Sequence, residues 1–107
     1  MITKKRRLEA LKKASRKKTN TAIAMMHFYN PIGKGDWFIT HAQEIEGEIV
    51  FIGVVYFNSF QWQEFSLSKL KNTKLPFGEK IKYNPKFQPV SISVLKHLLS
   101  SGEDFRP

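Results

Sequence analysis

Cysteine is absent from the 107-residue chain. That excludes a disulfide framework, a thiol nucleophile and every cysteine-based zinc site, and it fits a reducing cytoplasmic setting. No apolar run approaches the roughly 18–20 residues that a membrane-spanning helix needs, so no membrane partner is expected. The basic start is not followed by an apolar stretch of roughly 7–15 residues, and no secretory signal is predicted. There is no Gly-x-Ser-x-Gly elbow and no Ser/His/Asp set in a supporting context, so catalysis and a small-molecule substrate are not expected. Internal repeats are missing too. Acidic residues are scarce, nine against 18 Lys and Arg, for a net charge of +9.

With 41% hydrophobic and 25% charged residues, the composition is that of a globular protein, and the length fits one domain. The charge is unevenly spread. Residues 1–18 hold Lys4, Lys5, Arg6, Arg7, Lys12, Lys13, Arg16, Lys17 and Lys18 against the single acid Glu9, and the remainder carries a net +1. The sequence therefore divides into a basic arm over residues 1–20 and a nearly neutral domain over residues 21–107. One-signed blocks of this kind meet nucleic acid or another polyanion.

Helix-forming residues run from Thr3, a possible N-cap, to about Lys18, with Leu8, Leu11 and Ser15 in one narrow stripe. The helix is read either as a packing helix kept soluble by its lysines or as a working basic surface. Strands are expected over Ala22–Tyr29, Trp37–Ile45, Glu48–Phe57 and Gln61–Phe65. Asn30–Asp36 forms a loop and Glu46-Gly47 a tight turn. Ser66 opens a short helical turn, Pro76-Phe77-Gly78 is a turn, and Glu79–Phe87 is an edge strand broken by Asn84-Pro85. Ser91 caps a final helix bearing Ile92, Leu95, Leu98 and Leu99, which ends near Gly102. The predicted fold is α+β: a small antiparallel sheet of four or five strands, with an N-terminal basic helix and a C-terminal helix packed on it.

Several blocks, taken in order, resemble a known family. Phe28-Tyr29-Asn30-Pro31, Trp37-Phe38-Ile39-Thr40 and Phe51-Ile52-Gly53 resemble the front half of DUF2958, a family of domains of unknown function. Ser66-Leu67-Ser68-Lys69-Leu70 looks like its Ser-Leu-Ser-x-Leu element, and Ile81–Phe87 with the apolar helix after it looks like its close. The similarity spans about Leu8 to Leu99. It implies a compact α+β domain of the kind carried by plasmids, conjugative elements and phages, and it implies no activity. Where the family tends to place acids, this chain has His41, Lys69 and the pair Lys80 and Lys82, a shift that points to an acidic partner.

Candidate chemistry is sparse. His27, His41 and His97 lack the close pairing of metal ligands and read as surface or half-buried residues, so no metal or cofactor is expected. A third reading, an enzyme built on His41 with Asp36 or Glu44, is kept only as a distant option. Gly33-Lys34-Gly35 lacks the surrounding residues of a phosphate-binding Walker loop and reads as a turn. Glu44, Glu46 and Glu48 gather at a hairpin tip, where they should be solvated. In the aromatic run, Phe57 and Phe65 are expected inside, while Trp62, with Tyr56 and Phe60, is a candidate anchor for a protein partner.

Two functions compete. The first is a non-enzymatic inhibitor or accessory factor of a mobile element that engages a nucleoprotein machine, with a CRISPR effector as its sharpest case. The second is direct RNA or DNA binding in which the lysines and arginines of residues 4–18 neutralise phosphates. On that reading, deleting residues 1–18 should abolish binding and leave the body folded.

Overall fold

The longest strand pairing is built around a two-residue turn. Strands β3 (Asp36–Ile45) and β4 (Glu48–Tyr56) run antiparallel from Ile45↔Glu48 at the turn to Asp36↔Tyr56 at the far end. Between them Glu46 and Gly47 have φ of +51° and +78°, the left-handed pair that a tight hairpin turn demands. The structure, a computed structural model, describes residues 4–107, the Lys4 side chain excepted.

Around this hairpin lie α1 (Lys4–Lys13), β1 (Ile23–Ala24), β2 (Met26–Tyr29), β5 (Phe60–Ser66), α2 (Leu67–Lys71), β6 (Lys82–Tyr83), β7 (Val90–Ser91) and α3 (Ile92–Ser100). A five-stranded antiparallel sheet has the order β5-β4-β3-β2-β6, and β1 pairs with β7 in a separate two-stranded ladder. The α+β architecture with a helix near each end is as the sequence predicts.

The main sheet separates two cores. Leu11, Met26, Phe28, Ile39, Ala42, Phe51 and Leu70 form one buried cluster, and Ala24, Phe38, Val54, Phe87, Ile92 and Leu95 form the other. Phe38 and Ile39 are neighbours in β3 and so fall on opposite faces. The sheet is therefore covered by α1 and α2 on one side and by α3 on the other. Ile39 and Ala42 share a cluster although they are three residues apart. The register shift between Ile39 and His41 explains this: Thr40 is an extra residue, and the bulge resets which side chains face which core.

Several expectations are corrected. The first helix stops at Lys13 rather than Lys18. The Ser15 hydroxyl accepts from the Lys17 backbone N–H, and Ala14 O accepts from His41 Nδ1 at 2.9 Å, which offers the backbone partners outside the helix. Thr3, the expected cap, lies outside the described residues. The first expected strand is split at Met25, whose N–H bonds Ile39 O at 2.8 Å. The late strand shrinks to Lys82–Tyr83, and Phe87 enters the core beneath α3. Phe57 lies just past the last β3–β4 pair and is 49% exposed, not inside.

Two caps read from the sequence are formed. The Ser66 hydroxyl accepts from Lys69 N–H, and the Ser91 hydroxyl accepts from Val94 N–H at 3.3 Å. Because α3 supplies Ile92 and Leu95 to the core, Ser91→Ala should lower global stability by about 1 kcal/mol. The midpoint of urea unfolding measures it; an unchanged midpoint would mean that α3 does not depend on its cap.

Candidate functional site

The basic residues of the first 18 do not form a detachable arm. Leu11 is 0% exposed and belongs to the same cluster as Met26, Phe28 and Phe51, with Leu8 packed at its margin. That makes α1 a layer of the body, and deletion of residues 1–18 would open the core rather than remove a tail. Arg7 is also turned inward: it is buried, and its Nη1 donates to Met25 O at 2.7 Å. It is thereby corrected from a surface contact to a structural residue.

The other basic residues stay outside. Lys5, Arg6 and Lys13 are exposed along α1, and Arg16, Lys17 and Lys18 are exposed on the extended segment that follows. Lys12 is half-buried and pairs with Glu9 at 3.6 Å. Lys4 begins α1, and its side chain is outside the described set.

The neutrality of the rest of the chain is a cancellation. Residues 19–68 hold Lys34 against five acids, whereas residues 69–82 hold Lys69, Lys71, Lys74, Lys80 and Lys82 against Glu79. This second basic segment begins in α2, whose Leu70 shares the core cluster with Leu11, and ends at Ile81 and Tyr83, which pack on that cluster. Helices α1 and α2 therefore bring basic residues to the same face of the sheet, whereas Lys82, the neighbour of Tyr83 in β6, alternates to the other side. Of the hairpin-tip acids, Glu44 and Glu46 are exposed, and Glu48 accepts a hydrogen bond from the Ser68 hydroxyl that holds its carboxyl below the usual range.

A second cluster involves one of the expected histidines in an unexpected role. His27 is 0% exposed and His41 is also buried, deeper than the surface or half-buried placement expected, whereas His97 is exposed. The His27 ring stacks on Phe38 with centroids 4.7 Å apart. Its Nε2 lies 2.8 Å from Asp36 Oδ1, and its Nδ1 lies 3.1 Å from the Asn84 amide nitrogen. That amide is oriented by two further bonds: Nδ2 donates to Phe105 O at 2.7 Å, and Oδ1 accepts from Lys86 N–H. Nδ1 of His27 must then accept, so the proton sits on Nε2 and points at Asp36.

Arg106 completes the cluster. Its Nη2 donates to Asp36 Oδ2 at 3.2 Å and its Nε to Oδ1 at 3.3 Å, with the guanidinium over the Tyr29 ring. Burial pushes the Asp36 carboxyl up, but the hydrogen bonds from His27 and Arg106 outweigh it and hold the carboxyl below its ordinary range. Both ring nitrogens of His27 and both oxygens of Asp36 are engaged inside the fold. The arrangement ties β2, β3, the Asn84 turn and the Arg106 segment together, and Asp36 and Arg106 also border an open cleft beside Gly33, Gly35 and Asn58.

The aromatic candidates are half-buried. Trp62, Tyr56 and Phe60 pack against the cluster beneath α3; Tyr56 and Phe60 stack at 4.6 Å and Lys96 lies over Phe60. Phe65 contacts Phe51 as expected, while Phe57 meets Trp37 edge-on. In the glycine loop, Lys34 Nζ donates to Asn58 Oδ1 and Asn30 holds the turn through Lys34 O and Ile32 N–H. Among the described residues no group of three or more His, Asp or Glu could hold a metal ion, and no helix is long and apolar enough to cross a membrane.

Arg106 and Asn84 carried no sequence signal for these roles beyond their side-chain types. The basic character of residues 69–82 is visible in the sequence when charge is summed over short windows, and is hidden when residues 19–107 are taken as one block. Comparison with curated proteins and with solved structures returns no match. The family model described as "Protein of unknown function (DUF2958)" matches residues 1–100, nearly the whole chain, and the protein belongs to that family.

Proposed function

We propose that the protein works by binding, without catalysis, and that its basic face holds nucleic acid in the cytoplasm, either bare or seated in a nucleoprotein. One observation carries this reading: the basic helices α1 and α2 cover the same face of a sheet, with Arg16, Lys17 and Lys18 exposed on the segment after α1, while the acids are concentrated in residues 19–68. A one-signed face of this kind attracts a polyanion and releases its counterions when the two meet. The engaged atoms of His27 and Asp36 support binding over chemistry. Inhibition of a CRISPR effector by a mobile element is one setting for the same interaction, made on a guide or substrate strand already held by protein.

The test is a salt-titrated binding assay with single-stranded RNA and DNA. Replacing Lys5, Lys13, Arg16 and Lys17 together by Gln keeps Leu8, Leu11 and Arg7 in place and removes only exposed charge. The slope of log K against log salt should become shallower by about 0.7 for each phosphate left unneutralised. Lys96→Gln, on the α3 side, should leave the slope unchanged. No binding by the unaltered protein at moderate salt, or an unchanged slope in the four-residue variant, would defeat the proposal.

A further inference from the structure

Residues Pro76–Gly78 form a tight turn that carries the most exposed large apolar side chain among those described. Phe77 is 95% exposed. Its backbone is left-handed, with φ +62° and ψ +21°, Gly78 follows at φ +73°, and Glu79 N–H bonds Pro76 O at 3.3 Å. Two successive positive φ values closed by that bond make a type I′-like turn, for which Asn-Gly or Gly-Gly is the favoured pair. Phenylalanine is poorly suited to the first position, because its Cβ crowds the left-handed backbone. Packing does not offset that cost, since nearly all of the ring faces solvent. A strained residue that the fold does not need points to a role outside the fold.

The surroundings indicate the partner. Lys71, Lys74, Leu75, Gly78, Glu79 and Lys80 line a cleft of about 530 Å³ beside the turn. Three ammonium groups against one carboxylate favour an anionic ligand, and the Phe77 ring, which stands outside the cleft on the turn between Leu75 and Gly78, adds a flat apolar platform at its edge. Lysines that follow a phosphate backbone, with an aromatic ring on which a base can lie, are the two elements of single-strand recognition. A duplex offers phosphates but keeps its bases stacked, so the ring would have no partner there.

We infer that Phe77 stacks on an unpaired base and that the ligand of the basic face is single-stranded nucleic acid; this rests on the proposed function and narrows it. The segment 69–82 and α1 cover one core cluster, and one strand contacts both.

The experiment uses the full chain with Phe77→Asn and Phe77→Trp. The probes are single-stranded DNA and RNA of mixed sequence carrying 2-aminopurine, and the corresponding duplexes. Asparagine suits the left-handed turn, so Phe77→Asn should unfold in urea no earlier than the unaltered protein. Its affinity for single strands should fall by about 5- to 150-fold, the equivalent of one base stack removed. Its salt slope and its duplex affinity should stay unchanged. Phe77→Trp should keep single-strand affinity; the unaltered protein and Phe77→Trp should quench 2-aminopurine, and Phe77→Asn should not. If the unaltered protein binds both forms and Phe77→Asn binds single strands equally well, or weakens on duplex to the same extent, the stacking role is overturned while the basic face stands. If no nucleic acid binds, both readings fall.

Discussion

Gly53→Ala should destabilise the protein by roughly 3 kcal/mol, a large part of what a domain of this size has. Gly53 sits in β4 opposite Ile39, with Gln63 of β5 on its other side. A methyl group built there would stand 2.2 Å from Phe38 O and 3.0 Å from both Phe38 C and Ile39 Cα. These are backbone atoms of the neighbouring strand, which cannot swing aside as a side chain would. The close approach occurs where Thr40 bulges out of register, so relief would mean parting β3 from β4 at the centre of the sheet. Gly47→Ala provides the contrast: φ is +78° but nothing lies within 4 Å, and only the backbone preference, about 1 kcal/mol, should be lost. Urea unfolding of both variants measures the difference. Equal midpoints would show that the strands yield freely at Gly53.

Asp36→Ala should cost about 3 kcal/mol, because it leaves the buried His27 Nε2–H without an acceptor and Arg106 without its carboxylate. The side chain of Asp36 is 15% exposed and that of Arg106 25%, so water makes up for the missing carboxylate only in part. The pH dependence follows from the direction of the shift. Asp36 ionises below its ordinary value of 3.8 in the folded protein, so its contribution is present above that value. It is lost as pH falls through the lower folded value. Asp36→Asn should therefore flatten the acid side of the stability profile and leave the neutral region offset by a constant. An acid limb as steep as that of the unaltered protein would assign acid sensitivity to other carboxylates.

Elements set by local chemistry were legible in the sequence. Glu46-Gly47 marks its own turn, alternation marks β3 and β5, and the hydroxyls of Ser66 and Ser91 mark two helix starts. What the sequence concealed depends on residues far apart. Helix propensity continues through Lys18, but His41 bonds Ala14 O from 27 positions away, and the helix has already ended. Arg7 reads as one basic residue among nine until Met25 O accepts its proton. His27 looks like any isolated histidine until Asn84, 57 positions on, and Asp36 engage its ring. The continuous apolar run of β4 likewise hides the point at which pairing stops, which is why Phe57 emerges from the sheet. The basic face was half visible: its first segment is obvious, while the second is cancelled in the sum by the acids of residues 19–68.

The clasp made by Phe105 and Arg106 also orders events in time. Its bonds to Asn84, Gly35 and Asp36 bridge 21, 71 and 70 positions along the chain, whereas the β3–β4 hairpin closes at Ile45 and Glu48, three positions apart. Contacts between distant positions carry the greater loop-closure cost and come late in folding, after local ones have reduced the search. The hairpin can thus assemble before the last residues settle, and the two partners of the His27 ring, Asp36 and Asn84, gain their own remaining bonds only when they do. Once formed, the clasp is held by packing as well as by hydrogen bonds, since Phe105 meets Phe38 and Phe87 edge-on. The clasp thus closes the sheet end where β2 passes into β3, away from the turn that joins β3 to β4.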